Sequence, residues 1–145
     1  MKSRFLFLLS LCLMGGTGCS GSKAPASQVN PLLRLEALPP ADAQKISAVR
    51  DMKNWRNPYL IVRVDGVGLL DSANNEQKVL TPDQLLAALG DLPASAWPYG
   101  RAVAVAESAA ASASEADKAQ LRRNRALVAG TLENLHIVIN WVPSA

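Results

Sequence analysis

The spacing of hydrophobic positions changes along this chain, and each spacing predicts a different element. Residues 59–65 (YLIVRVD) alternate between aliphatic and polar side chains, which predicts a β-strand with one apolar face. Gly66 permits a sharp turn, so residues 67–70 are expected to return as a second strand. Residues 78–80 predict a short third strand, after a turn-rich stretch of small and polar residues.

The best-marked helix covers residues 81–90. Thr81 is suited to cap its first free amide groups, and Pro82 stands where a missing N–H costs nothing. Gln84, three residues after Thr81, completes a capping box. Gly90 predicts a left-handed end to the helix.

The second half of the chain repeats this alternation of strand and helix. Residues 101–107 place valines on one face and alanines on the other, a face small enough for a helix to lie close. Ser114 and Asp117 give a capping signal for a helix that runs to Leu135. Residues 136–142 predict a last strand. This order predicts an α+β fold: a small two-layer sandwich, with a mixed sheet of four or five strands and two helices on one face.

The N-terminus has the layout of a bacterial export signal. A basic start is followed by an apolar run, residues 5–14, which leads into the small residues 15–18 and then Cys19. The run is about ten residues long, whereas a membrane-spanning helix needs roughly 20. We therefore predict a cleaved signal peptide over residues 1–18.

The cysteine after the small residues resembles a lipoprotein lipobox. The resemblance implies that Cys19 is diacylated and becomes the anchored N-terminus, although Gly16 stands where the family usually has leucine. An ordinary secretory signal that releases a soluble chain is the alternative. The lipoprotein is favoured because Cys12 lies in the removed run, which would leave one exposed thiol. Ser20 implies an outer-membrane, periplasm-facing location by resemblance to enterobacterial sorting patterns.

The mature chain then divides by composition. Residues 19–40 predict a lipid-anchored tether, polar at first and closed by Pro39 and Pro40. Residues 41–57 predict a short helix or a linker, and residues 58–145 the α+β domain. This domain is long enough for a modest core of its own.

The charge of the chain is largely a property of its signal. The whole sequence has 15 basic and 12 acidic side chains, for a net charge of +3. Lys2 and Arg4 belong to the signal, so the mature chain carries 13 against 12. This near balance gives no electrostatic case for nucleic acid as a partner.

Chemically active residues are few. His136 is the one histidine of the chain, at a helix-to-strand junction, where a turn or core role is the more common one. A carboxylate site built from Asp65, Asp71 and Glu107 has no support from their spacing. Residues 64–68 (VDGVG) lack the glycines and lysine of a phosphate loop. We predict no cofactor, no metal and no catalytic residues.

Two surface groups are candidate partner contacts. Trp97 and Tyr99 lie in a proline-rich loop and could form an exposed patch, although loop aromatics more often fold back onto the core. Arg122, Arg123 and Arg125 could bind anionic lipid or peptidoglycan, although a solvated helix face is the more common explanation of such a run. An edge strand that adds to another sheet is the third candidate.

Residues 59–143 resemble the periplasmic domain of the ExbD/TolR family. The resemblance rests on residues 64–68, on residues 80–85 (LTPDQL) that open the first helix, and on the late helix that leads into the last strand. It implies a shared folded domain, with dimers, peptidoglycan or envelope proteins as partners. Residues 5–18 contain no carboxylate, so the family's proton-driven activity does not carry over.

Three functions follow as hypotheses. The first is a membrane-anchored, non-enzymatic binding or scaffold module for a periplasmic protein or cell-wall partner. The second is an immunity-type lipoprotein that blocks a toxin or hydrolase. The third is a small periplasmic hydrolase that uses Asp65, Glu107 and His136, and it requires these three residues to converge in one pocket.

Overall fold

The computed structural model of the protein describes residues 30–71, 76–108 and 114–143. The predicted signal peptide and Cys19 lie outside the described residues. The helices within these ranges are α1 (Pro31–Glu36), α2 (Ala43–Ala48), α3 (Leu85–Gly90) and α4 (Glu115–Asn134). The strands are β1 (Tyr59–Arg63), β2 (Gly66–Asp71), β3 (Glu76–Leu80), β4 (Ala102–Glu107) and β5 (Val138–Trp141).

The five strands form one mixed sheet in the order β3-β2-β1-β4-β5. The pairs β1–β2 and β2–β3 are antiparallel, whereas the pairs β1–β4 and β4–β5 are parallel. Parallel neighbours need a long crossover, and α4 supplies it between β4 and β5. The predicted α+β class, with a mixed five-stranded sheet and helices, is confirmed.

The core lies between the sheet and the helices α3 and α4. Leu60 of β1 is opposite Val105 of β4, and both pack in one cluster with Leu89 of α3 and Val128 of α4. Because side chains alternate along a strand, the alanines of β4 face away from this cluster. The expectation that a helix lies on the alanine face is therefore wrong, since the helices pack on the valine face.

The folded domain begins well before residue 58. Asn30 Oδ1 accepts a hydrogen bond from the Leu32 N–H at 3.0 Å and so starts α1, which packs on α3. Leu35 is only 1% exposed and belongs to the core cluster. The predicted tether over residues 19–40 is therefore too long, because its last eleven residues belong to the domain. The short helix predicted within 41–57 is present as α2.

Gly90 has a different role from the predicted one. It is the last residue of α3, and its φ angle is not in the left-handed region. A Cβ atom at Gly90 would come within 2.5 Å of the Pro31 Cβ atom and 2.8 Å of the Pro31 carbonyl oxygen. The missing side chain therefore allows α1 to approach α3 closely.

Both predicted helix starts are present. Gln84 Oε1 accepts a hydrogen bond from the Thr81 N–H at 3.1 Å, and a 3₁₀ turn precedes α3. Ser114 Oγ accepts a hydrogen bond from the Asp117 N–H at 3.1 Å, and Asp117 Oδ2 accepts one from the Ser114 N–H at 3.1 Å. These reciprocal bonds satisfy amide groups that the first turn of a helix leaves free.

Candidate functional site

The last strand, β5, forms one edge of the sheet. The Val138 N–H donates to the Arg101 carbonyl at 2.9 Å, and the Val142 N–H donates to the Val105 carbonyl at 3.0 Å. Successive residues of a strand direct their N–H groups to opposite sides, so those of Ile139 and Trp141 point away from the sheet. The strand carries no charged side chain, so it lacks the charges that usually protect an edge strand from pairing with another chain.

The side chains of β5 are open to solvent as well. Val138 is 49% exposed on one face of the strand. Trp141 is 41% exposed on the other face, the one that bears the helices. This edge therefore offers both backbone groups and apolar side chains to a partner.

A basic side of α4 borders this edge. The Arg125 Cζ atom lies 4.4 Å from the centroid of the Trp141 ring, a cation–π contact. The guanidinium of Arg125 also donates a short hydrogen bond to Glu107 Oε1. Lys118 and Arg122 stand seven and three residues before Arg125, a spacing that keeps all three on one side of a helix.

The three predicted arginines therefore divide between two sides of α4. Arg122 is exposed on the β5 side and has no ion-pair partner within the described part of the chain. Arg123 faces the other side, where its Nη2 and Nε atoms donate to Gln120 Oε1 at 2.6 and 3.2 Å. We call β5 together with Lys118, Arg122 and Arg125 the β5 edge site.

The aromatic loop does not form the predicted exposed patch. Trp97 is buried in the core cluster, so its proposed role as a surface contact is corrected. The Tyr99 hydroxyl donates to the Asn54 carbonyl at 3.1 Å, and its ring packs edge-on against Trp55 with centroids 5.2 Å apart. This loop is therefore attached to the segment that leads into β1.

The residues of the hydrolase hypothesis do not come together. Glu107 ends β4, and Asp65 lies in the turn after β1, so both lie at the end of the sheet where these two parallel strands finish. His136 precedes β5, which begins beside the first residue of β4, and Asp71 ends the antiparallel β2. His136 and Asp71 therefore lie at the opposite end of the strands, roughly 17 Å from Glu107 and Asp65 for strands of about five residues. No single pocket can hold this set.

Asp65 and His136 each have a local structural explanation. The Arg63 Nε and Nη2 atoms donate to the Asp65 Oδ1 and Oδ2 atoms at 2.8 and 3.1 Å. This forked hydrogen bond lowers the pKa of Asp65 and raises the pKa of Arg63. His136 has a φ of 53°, and its N–H donates to the Glu133 carbonyl at 3.0 Å. It therefore serves the left-handed exit from α4.

Sequence reasoning missed the residues that make up much of this site. It placed Trp141 on one side of the last strand without assigning it to a site, and it did not single out Lys118 or Val138. An uncharged strand at the end of a domain is the signal that could have identified the edge. The contact between Arg125 and Trp141 could not be read from a separation of sixteen residues.

The described residues contain no group of three or more His, Cys, Asp or Glu side chains that could hold a metal ion. No helix among residues 30–71, 76–108 and 114–143 is long and apolar enough to cross a membrane. Comparison with protein-family models, curated proteins and solved structures gave no match.

Proposed function

We propose that this protein is a bacterial envelope lipoprotein, anchored through Cys19, that binds an extended acidic segment of another envelope protein along β5. The observation that carries this proposal is the unpaired, uncharged edge of β5. A segment added to this edge gains backbone hydrogen bonds from Ile139 and Trp141. Its side chains then contact Val138 and the Trp141 ring.

The charge of the neighbouring helix selects the partner. Lys118, Arg122 and Arg125 lie on the same side of α4, and Arg125 contacts Trp141 at the end of β5. Lys118 and Arg125 each have a carboxylate partner, whereas Arg122 has none among the described residues. A partner segment with carboxylates on the helix-facing side would place them against this basic row, which favours correct pairing over other edges.

The sequence supports the anchored location. If Cys19 carries the lipid, ten residues lie between it and Asn30, the first described residue of the domain. A chain of that length spans at most about 40 Å. The domain would therefore stay close to the bilayer surface and within reach of proteins embedded there.

A photocrosslinking amino acid at Val138, in cells that make the full chain, tests the proposal. Val79 is the matched control, because it lies on the opposite edge strand and is also 49% exposed. We expect crosslinks from position 138 to an extended, acidic segment of another envelope protein, and none from position 79. Crosslinks only to a second copy of the chain, or equal crosslinks from both positions, would contradict it.

Charge reversal separates the basic row from general electrostatic attraction. Arg122→Glu is expected to abolish the crosslink from position 138. Arg123→Glu changes the net charge equally on the other side of α4 and should leave the crosslink intact. Loss in both variants would mean that net charge alone attracts the partner.

The anchor is tested independently of the partner. Mass spectrometry of the mature N-terminus should show an acylated Cys19, and Cys19→Ala should release the protein from the membrane fraction. An unmodified N-terminus at Cys19 in a soluble fraction would refute the anchor while leaving the β5 edge site intact.

A further inference from the structure

A cleft of about 350 Å³ opens between α1 and the loop that follows α3. Its walls are apolar and are formed by Leu35, Leu38, Leu89, Leu92 and Trp97. The volume is at the lower end of the range for small-molecule sites, which begins near 300 Å³. The cleft shares no residue with the β5 edge site.

One polar group in the wall lacks a partner. The indole nitrogen of Trp97 is buried and has no hydrogen-bond acceptor among the described residues. A buried N–H without an acceptor is unfavourable, and tryptophan N–H groups usually find one when they are buried. A ligand that brings an acceptor oxygen would remove this cost.

The mouth of the cleft is close to neutral. The Arg34 Nη1 atom lies 3.4 Å from the Asp91 Oδ1 atom, and both side chains are well exposed to solvent. The two opposite charges favour a ligand whose polar end carries dipoles rather than a net charge. An ester or amide carbonyl is such a group.

We propose that this α1–α3 cleft binds one acyl chain whose head group carries a carbonyl oxygen. The chain lies against the leucines, and the carbonyl accepts a hydrogen bond from the Trp97 N–H. The nitrogen is buried in the empty cleft, so the cleft wall must rearrange locally for the carbonyl to reach it. A membrane lipid with an ester head group offers this carbonyl without a net charge at the mouth, and a free fatty acid, whose carboxylate is charged, is the other outcome that the test distinguishes.

Binding at the Trp97 indole N–H can be followed directly by nuclear magnetic resonance. The chain has three tryptophans, so a ¹⁵N-labelled sample gives three indole signals, of which the Trp97→Phe and Trp55→Phe variants assign the two that are needed. The full chain, held in an amphipathic polymer without lipid, is titrated with monodecanoylglycerol and separately with decanoate. We expect a saturable downfield shift of the Trp97 signal. The Trp55 signal should stay in place, because that indole already donates to the Pro58 carbonyl at 3.2 Å.

Variants locate the binding. Ala94→Phe narrows the mouth and should weaken binding at least tenfold, whereas Ala87→Phe, on an exposed position of α3 outside this cleft, should not change it. Trp97→Phe removes both the donor and the reporter signal, so its binding is measured by calorimetry and should be about two- to tenfold weaker than that of the unaltered chain. Tighter binding of the glycerol ester indicates a membrane lipid. Tighter binding of decanoate that is lost in Arg34→Gln indicates a free fatty acid.

Two results would contradict acyl-chain binding in the α1–α3 cleft. A Trp97 signal that does not move up to the solubility limit of both ligands would overturn the proposal. Unchanged binding in Ala94→Phe would overturn it too, because it would show that the ligand lies outside the cleft, for example in the polymer. Neither result bears on the partner at β5, which is tested with different variants.

Discussion

At the scale of single residues, one buried amide joins the entry of β1 to the entry of β4. The Asn57 Nδ2 atom donates to the Gly100 and Ala102 carbonyls at 2.8 and 2.7 Å. Its Oδ1 atom accepts from the Tyr99 N–H at 2.9 Å. The side chain is fully buried, and three backbone groups depend on it.

We expect Asn57→Ala to lower the free energy of unfolding by about 2–4 kcal/mol, because it leaves these backbone groups unpaired in the interior. Urea unfolding followed by circular dichroism measures the change. Asn54→Ala, at an exposed position three residues earlier, should stay within about 0.5 kcal/mol. Similar small losses in both variants would show that water replaces the amide of Asn57.

Two helical glycines should respond to alanine with opposite signs. Alanine normally stabilises a helix relative to glycine by roughly 0.5–1 kcal/mol. At Gly130 a Cβ atom would meet nothing within 4 Å, so Gly130→Ala should give this gain. At Gly90 it would meet Pro31, so Gly90→Ala should instead cost about 1–3 kcal/mol. Thermal unfolding of both variants checks the signs, and a gain at Gly90 would mean that α1 shifts freely.

These residues show where sequence reasoning stops at this scale. The capping pairs Thr81–Gln84 and Ser114–Asp117 were predictable, because each partner is three residues away and the bond is local. Asn57 was missed because its partners are more than forty residues away. The role of Gly90 depends on its close contact with Pro31 in another helix. Its position at a helix end therefore led to the prediction of a left-handed φ angle, which Gly90 does not have.

At the scale of elements, the start of α2 should depend on pH. Asp42 Oδ1 accepts from the Gln44 and Lys45 N–H groups at 3.1 Å, and these bonds, led by the one from Lys45, lower the pKa of Asp42. A lowered folded-state pKa means that the stabilisation is present above the unfolded pKa, near 4, and is lost as the pH falls through the folded value.

We therefore expect the Lys45 amide hydrogen to lose protection, relative to the intrinsic exchange rate, as the pH falls below about 4. Hydrogen exchange measured by nuclear magnetic resonance between pH 2 and 6 follows this directly. In Asp42→Asn the cap remains a hydrogen-bond acceptor but cannot ionise, so the step should disappear. An unchanged step in that variant would assign it to another carboxylate.

Arg125 holds β5 against the rest of the domain. It connects α4 to Glu107 of β4 and to the Trp141 ring of β5, which is an edge strand of only four residues. We expect Arg125→Ala to cost about 0.5–1.5 kcal/mol, since the cation–π contact and a half-exposed ion pair are each modest. Exchange should rise most at the β5 amides. Arg122→Ala, which removes no described ion pair, should leave that exchange unchanged.

Elements with strong local patterns were predicted well, and their packing was not. The alternation of side chains in residues 59–65 and 101–107 identified β1 and β4, because a two-residue repeat is visible in the sequence without knowledge of the fold. Which face of β4 receives the helices depends on the register with β1, where Val105 is opposite Leu60. The edge at β5 likewise follows from the order of strands, which pattern alone does not fix.

At the scale of the whole molecule, the boundary of the folded domain was predicted about 28 residues too late. Asn30 followed by Pro31 is a helix-start signal, yet α1 is only six residues long, too short to be stable on its own. Such a helix is stable because α3 covers it, and that cover comes from residues far along the chain. The core of this small domain therefore includes a leucine-containing segment that precedes the predicted boundary.

Two leucines on α1 test whether this segment is part of the cooperative fold. Leu35 is 1% exposed and Leu33 is 56% exposed on the same helix. If α1 unfolds together with the sheet, Leu35→Ala should lower the global free energy of unfolding by about 2–4 kcal/mol, and Leu33→Ala by less than about 0.5 kcal/mol. If α1 detaches first, Leu35→Ala would leave the unfolding midpoint of the sheet unchanged and increase exchange only in α1. The α1–α3 cleft would then be lost in this variant while β5 stays intact, so acyl-chain binding and partner crosslinking should separate.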